Sequence, residues 1–133
     1  MKIEITIYMC PTPKARPRFT ITKGGKRYAY SSPETVHAES LIREAVLGLK
    51  QYFEKGVPLY LEATFFLPRP ASISKKVKMP VKRPDIDNLA KTLTDALESF
   101  TYNNDSQITT ELLKKRYGSP PRIELKIEEE KDD

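Results

Sequence analysis

Two aspartates and a lysine stand close together in the run Pro84-Asp85-Ile86-Asp87-Asn88-Leu89-Ala90-Lys91. Hard carboxylate oxygens suit Mg²⁺, which usually takes a few of them together with water and a substrate phosphate. A cation so held activates water and neutralises charge developing on the phosphate. A neighbouring lysine can stabilise the same phosphate or orient the water. Phosphodiester cleavage needs this mixture. Two carboxylates are rarely enough, and Asp105, in the turn Asn103-Asn104-Asp105, is the third candidate because the strand it opens must return along the intervening helix.

Each residue also has a plainer reading. Asp before an apolar-periodic run is usually a helix cap, and Asp85 after Pro84 suits a turn. Lys91 can pair on the surface with Asp87 or Asp95, each four residues away. Their coincidence at the end of an otherwise basic stretch favours the metal site. With Asp87 taken as the N-cap, Ile86, Leu89, Leu93, Ala96, Leu97 and Phe100 share a core face, and Asn88, Lys91 and Asp95 point away from it. Asp85 and Asp87 then sit in a non-helical lead-in, where both can turn toward one point. Asp95 lies about 12 Å up the helix at ~1.5 Å per residue, too far to share that ion easily, so its expected role is supporting.

Competing chemistries lack their parts. An EF-hand needs an oxygen ligand and a glycine where Leu89 and Ala90 stand. There is no Gly-rich phosphate loop, and a glycosidase pair gives no reason for basic surroundings. His37, the only histidine, reads as a surface or half-buried residue. Cys10 is alone, which rules out an internal disulfide and a multi-cysteine zinc site.

The basic surroundings are unevenly placed. Over 133 residues the chain has 23 Lys and Arg against 18 Asp and Glu. Without the terminal run Glu128-Glu129-Glu130-Lys131-Asp132-Asp133, with its one base and five acids, the totals are 22 and 13. Residues 5–33 and 63–84 contain no acid and hold 12 of the 23 bases. A single cluster of this kind is usually only a solvated face. Two of them, one leading directly into the acidic motif, point to a polyanion held through counterion release, and hence to nucleic acid. No stretch approaches the ~20 apolar residues of a membrane span; a cytoplasmic protein is expected, with no membrane partner.

The elements that must position these groups are legible in outline. Residues 1–9 alternate as a strand with Ile3, Ile5 and Ile7 on one face. Gly24-Gly25 can close a short hairpin between Phe19-Thr20-Ile21-Thr22 and Arg27-Tyr28-Ala29-Tyr30. A helix follows, with Ser32 as N-cap, Pro33 at its first position and Gly56 just past its end; its stripe is Leu41, Ile42, Ala45, Val46, Leu49, Tyr52 and Phe53. Residues 59–67 are apolar at nearly every position, which predicts a central strand covered on both faces. A second helix is expected from Asp87 to about Phe100. Residues 107–117 and 122–128 are expected to pair as a terminal antiparallel hairpin. The order β-α-β-α-β-β predicts an α+β fold, a single mixed or antiparallel sheet with two helices packed on it. One domain over 1–127 is expected, with 128–133 as a solvated acidic tail.

At these residues the sequence resembles the RusA family of Holliday junction resolvases, small endodeoxyribonucleases of bacteria and prophages. Three matches carry the resemblance: Pro84 to Lys91 continuing to Asp95-Ala96-Leu97; Asn104-Asp105-Ser106-Gln107-Ile108; and the basic lead-in Pro13-Lys14-Ala15-Arg16-Pro17-Arg18-Phe19. The family often has two adjacent acids where this chain has Asn104-Asp105. The resemblance implies an intertwined, Mg²⁺-dependent homodimer, with Mn²⁺ an acceptable substitute, that resolves four-way DNA in recombination and repair. It implies that Asp85, Asp87 and Asp105 bind metal and that Lys91 is catalytic, with Asn88 and Asp95 supporting. Lys14, Arg16, Arg18, Lys26, Arg27, Arg69, Lys75, Lys76, Lys82 and Arg83 then line the DNA-facing surface and touch phosphates. Phe19, Tyr28 and Tyr30 could stack on bases at a branch, although in a small domain such residues more often belong to the core. The alternatives are a non-catalytic DNA- or RNA-binding module, or a broader nuclease of flaps and branches.

Overall fold

The computed structural model describes residues 1–132 and shows an α+β fold. Its elements are β1 (Lys2–Ile7), β2 (Arg18–Ile21), β3 (Arg27–Tyr30), α1 (Pro33–Leu47), β4 (Leu59–Leu67), α2 (Ile86–Leu97), a 3₁₀ turn at Asp105–Gln107, β5 (Ile108–Tyr117) and β6 (Arg122–Glu129). Four strands form a mixed sheet in the order β1-β6-β4-β5, in which only β4 and β5 run parallel. β2 and β3 pair with each other as the hairpin expected around Gly24-Gly25.

Alternation in the strands selects the face that meets the helices. Ile3 and Ile7 of β1, Leu59, Leu61, Ala63 and Phe65 of β4, and Ile123, Leu125 and Ile127 of β6 are buried, as are Ile42 and Val46 of α1 and Leu89, Leu93 and Leu97 of α2. The opposite face of β4 is only half-covered, contrary to expectation. Tyr60, Glu62, Thr64 and Phe66 lie there without a helix above them. Long side chains do part of the covering: the Arg122 guanidinium lies 3.8 Å from the Phe66 ring centroid, and Lys126 lies over Tyr60.

The expected terminal hairpin does not form. β5 and β6 flank β4 on opposite sides, so the link between them must cross its end. A strand as apolar as β4 gains most with a ladder on each edge, and a β5–β6 hairpin would leave it exposed on one. Gly118 makes the crossing feasible. Its N–H donates to Leu67 O at 3.0 Å, and a Cβ there would sit 2.6 Å from Phe66 Cδ1.

Both helices are shorter than their apolar patterns suggest. Ser32 Oγ accepts from Thr35 N at 3.2 Å and Pro33 opens α1, as expected. The helix stops at Leu47 rather than running to Gly56, because Lys50 turns to φ 52° and Phe53 N–H donates instead to Thr101 O at 2.8 Å. Phe53 is thus buried from outside the helix, and Tyr52 is exposed. α2 starts with Asp85, not Asp87, at the N-cap position and ends at Leu97. Phe100 leaves the core face for the surface, beneath Arg43, and Tyr102 takes the buried place. The Tyr102 hydroxyl donates to Thr94 O at 2.9 Å, and burial pushes its pKa far above the ordinary phenol value. At the C-terminus Glu128 and Glu129 belong to β6, and Glu130 N–H donates to Pro58 O. Asp133, the last acid of that run, lies outside the described residues.

Candidate active site

Helix α2 separates two grooves. One, of about 850 Å³, is walled by Pro13, Lys14 and Arg16, by Leu67 and Pro70 at the end of β4, and by Lys82, Arg83, Asp85 and Asn88 at the start of the helix. The other, of about 440 Å³, lies between α2 and β5 and is lined by Asp87, Lys91, Thr94, Asp105 and Glu111. Three of the sequence-predicted residues, Asp87, Lys91 and Asp105, therefore come together in the second groove. Asp85 opens onto the first. Because Asp87 lies inside the first helical turn, the two aspartates do not share the non-helical lead-in expected of them.

Asp85 occupies the cap position but its side chain makes no capping bond, so its carboxylate is free. Asp87 Oδ1 accepts from Asn88 N at 3.0 Å. Asp105 opens a 3₁₀ turn built as a reciprocal cap: Asn104 accepts from Ser106 N, and Gln107 Oε1 accepts from Asn103 and Asn104 N at 3.0 Å. Gln107 Nε2 donates to Glu54 O and Val57 O, tying the turn to the chain entering β4. This holds Asp105 beside α2.

The turn brings Asp105 to the level of Asp95. Asp95, Glu98 and Asp105 each present a carboxylate oxygen within 4.8 Å of the others. All three are half-buried hard-oxygen donors of the kind a divalent cation takes, but both Asp95 oxygens are engaged by lysine ammonium groups. Glu98 and Glu111 were not singled out from sequence. The i, i+3 spacing of Asp95 and Glu98 on one helix face was an available signal; for Glu111, on the far wall, there was none.

Lys14 does not face outward. Its Nζ lies 3.1 Å from Asp95 Oδ2 and 3.2 Å from Glu39 Oε2, while Lys91 Nζ lies 3.2 Å from Asp95 Oδ1. Lys14 N–H also donates to Asn88 O at 3.0 Å. Burial alone would lower the Lys14 pKa, but hydrogen bonds to Asp95 and Glu39 outweigh it and raise the value above that of an ordinary lysine. The basic segment is thereby fastened to both helices, and Lys91 shares its carboxylate anchor.

Among the other expected DNA contacts, Arg16, Lys82 and Arg83 line the larger groove, and Arg18, Lys26 and Arg27 lie exposed on the hairpin. Lys75 and Lys76 are exposed in the loop after β4. Arg69 braces that loop by donating to Val77 O and Ser74 O at 2.7 and 2.6 Å. His37 and Cys10 are exposed. Among the described residues no helix is long and apolar enough to cross a membrane.

The small groove is acid-rich, and that has a consequence for stability. Burial, then the charge of Asp105, raises the Glu111 carboxyl pKa. A carboxyl raised on folding adds stability that is complete below its unfolded pKa and is lost as pH rises through its folded one. At pH 7 in chelator, Glu111→Gln is therefore expected to raise Tm, with the gain vanishing in acid below the ordinary carboxylate range. An unchanged or lower Tm at pH 7 would count against this crowding. Added Mg²⁺ should raise the wild-type Tm by mass action.

The family model described as Endodeoxyribonuclease RusA matches residues 9–128. The chain is similar to an uncharacterized protein, YqaN, of Bacillus subtilis strain 168, with 27% identity over 140 residues and coverage of 96% of each chain. It is also similar to the crossover junction endodeoxyribonuclease rusA of Lactococcus phage r1t, 40% identical over 84 residues, 60% of this chain and 61% of that one.

Proposed function

The chain belongs to the endodeoxyribonuclease RusA family, and from that premise we propose that it resolves four-way DNA junctions by paired, symmetric, Mg²⁺-dependent nicks. The observation that carries this reading is the groove in which Asp87, Lys91 and Asp105 meet, across α2 from a wide groove walled by Lys14, Arg16, Lys82 and Arg83. Asp87 and Asp105 would hold the cation, while Asp85, whose carboxylate caps nothing, opens onto the larger groove across α2. When bound, the cation supplies an activated water and neutralises charge on the phosphate. Lys91, steadied by Asp95, directs its ammonium to that phosphate. Asn88 fixes the basic segment through its backbone carbonyl. Arg16, Lys82 and Arg83 of the larger groove and the bases of the hairpin hold the flanking duplex by its phosphates and set the register of the cut.

Two cuts placed symmetrically call for two equivalent sites, and a C2 homodimer supplies them. A synthetic four-way junction, a flap and a linear duplex, each incubated with Mg²⁺ or chelator, test the substrate. The junction should be nicked in opposed strands, only with the metal. Equal cutting of the flap would favour the broader branched-DNA nuclease. Tight binding of all three substrates with none cut would sink the catalytic assignment.

A further inference from the structure

The hairpin of β2 and β3 is fixed at its base and free beyond it. Before β2, Lys14 N–H donates to Asn88 O at 3.0 Å and Ala15 N–H to Thr35 Oγ1 at 3.3 Å; after β3, Ser32 caps α1. Between these anchors the two strands pair only with each other. A lone two-stranded hairpin is marginal in water, and this one displays its aromatic rings: Phe19 is 56% exposed, Tyr28 52% and Tyr30 43%. Rings of this size ordinarily contribute to a core. Three of them on one projecting element amount to a surface awaiting an occupant.

The register sorts the rings. Thr20 pairs with Tyr28 and Arg18 with Tyr30, so the two tyrosines share a face. Phe19 and Arg27 lie on the other, with the guanidinium 4.2 Å from the ring centroid. The tyrosine centroids are 6.4 Å apart with planes inclined by 52°. That separation is close to twice the ~3.4 Å rise of stacked bases, so rotation of the exposed rings toward parallel leaves room for one base. No acid occurs in residues 5–33, which suits a polyanion and repels a second copy of the same hairpin.

We propose that Tyr28 and Tyr30 form a stacking clamp for a nucleotide unpaired at the branch point of DNA. The proposal rests on the branched-DNA reading above and adds to it the contact that recognises the branch. The hairpin base, tied to the backbone of Asn88, keeps the clamp at a fixed reach from the groove that cuts.

The test uses the full chain in chelator, with a four-way junction carrying 2-aminopurine at the branch point or deep in one arm. Wild-type binding should change the fluorescence of the branch probe and leave the arm probe unaltered. Tyr28→Ala/Tyr30→Ala should abolish that change and weaken binding on the order of tenfold per ring; Tyr28→Phe/Tyr30→Phe, which keeps the rings, should preserve both. If the alanine variant matches wild type, or if light scattering shows that it alters the mass of the free protein, the clamp is refuted. In the second case the rings serve a protein interface. Failure of the wild type to bind any junction would overturn the branched-DNA reading itself, whereas tight binding insensitive to the alanines overturns the clamp alone.

Discussion

Asp87→Asn should leave a folded protein that binds junction DNA with unchanged affinity and cuts it at least about a thousandfold more slowly. The side chain is exposed and its bond to Asn88 N can be made by an amide oxygen, so little stability is at stake. What is lost is a negative hard-oxygen donor in the groove it shares with Asp105 and Lys91. Single-turnover cleavage over a range of Mg²⁺ concentrations is the measurement. Recovery of full rate at high Mg²⁺ would mean that Asp87 affects only metal affinity. A rate unchanged throughout would remove Asp87 from the site. Melting the same variant with and without Mg²⁺ gives a second reading, since the metal-induced rise in Tm should shrink.

Lys14→Met should be the most damaging of the single replacements among the basic residues. Its ammonium bridges Glu39 and Asp95, whose side chains are only 10% and 21% exposed. Its removal leaves Glu39 without an ion-pair partner and Asp95 with Lys91 alone. A loss of about 2–3 kcal/mol is expected, or roughly 10 °C in Tm for a domain of this size. Because the Lys14 pKa is raised on folding, its contribution is complete below the ordinary lysine pKa and fades only as pH climbs through the folded value. The deficit should therefore be constant from neutral to mildly alkaline pH. Cleavage should fall about 10- to 100-fold as Lys91 and the basic segment lose their fixed placement. The salt dependence of DNA binding should keep its slope, whereas loss of a phosphate contact would lower it by ~0.9. A reduced slope with unchanged Tm would restore Lys14 to the DNA surface.

Local rules carried the sequence reading a long way. Ser32-Pro33, Gly24-Gly25 and the alternation of Ile3, Ile5 and Ile7 each depend on neighbours within a few residues, and each reads correctly. The start of α2 was less determinate. Asp85 and Asp87 both suit a cap, and choosing the later one moved them into a lead-in that the helix occupies. The end of α1 failed for a longer-range reason, since it is the turn at Thr101 that draws Phe53 away. Strand adjacency was the largest miss. Residues 107–117 and 122–128 look like a hairpin locally, but their partner is an apolar strand far earlier in the chain that can satisfy both. At the site, Lys14 showed its sign but not its direction. A run of bases looks solvated until a buried Glu39 on another helix is seen to face one of them.

Every carboxylate proposed here to hold the cation rides on the single excursion from β4 through α2 to β5. That excursion closes only when residues such as Leu61 and Glu111, distant in sequence, pair in the parallel ladder. Non-local pairing of this kind comes late, after loop-closure entropy has been overcome. Catalytic competence is therefore among the last properties the chain acquires. On this reading a partly folded copy is expected to display its basic segments and hold DNA without cutting it. In a refolding time course, nicking should appear no earlier than amide protection in β5; cleavage preceding that protection would show that the excursion can arm itself alone.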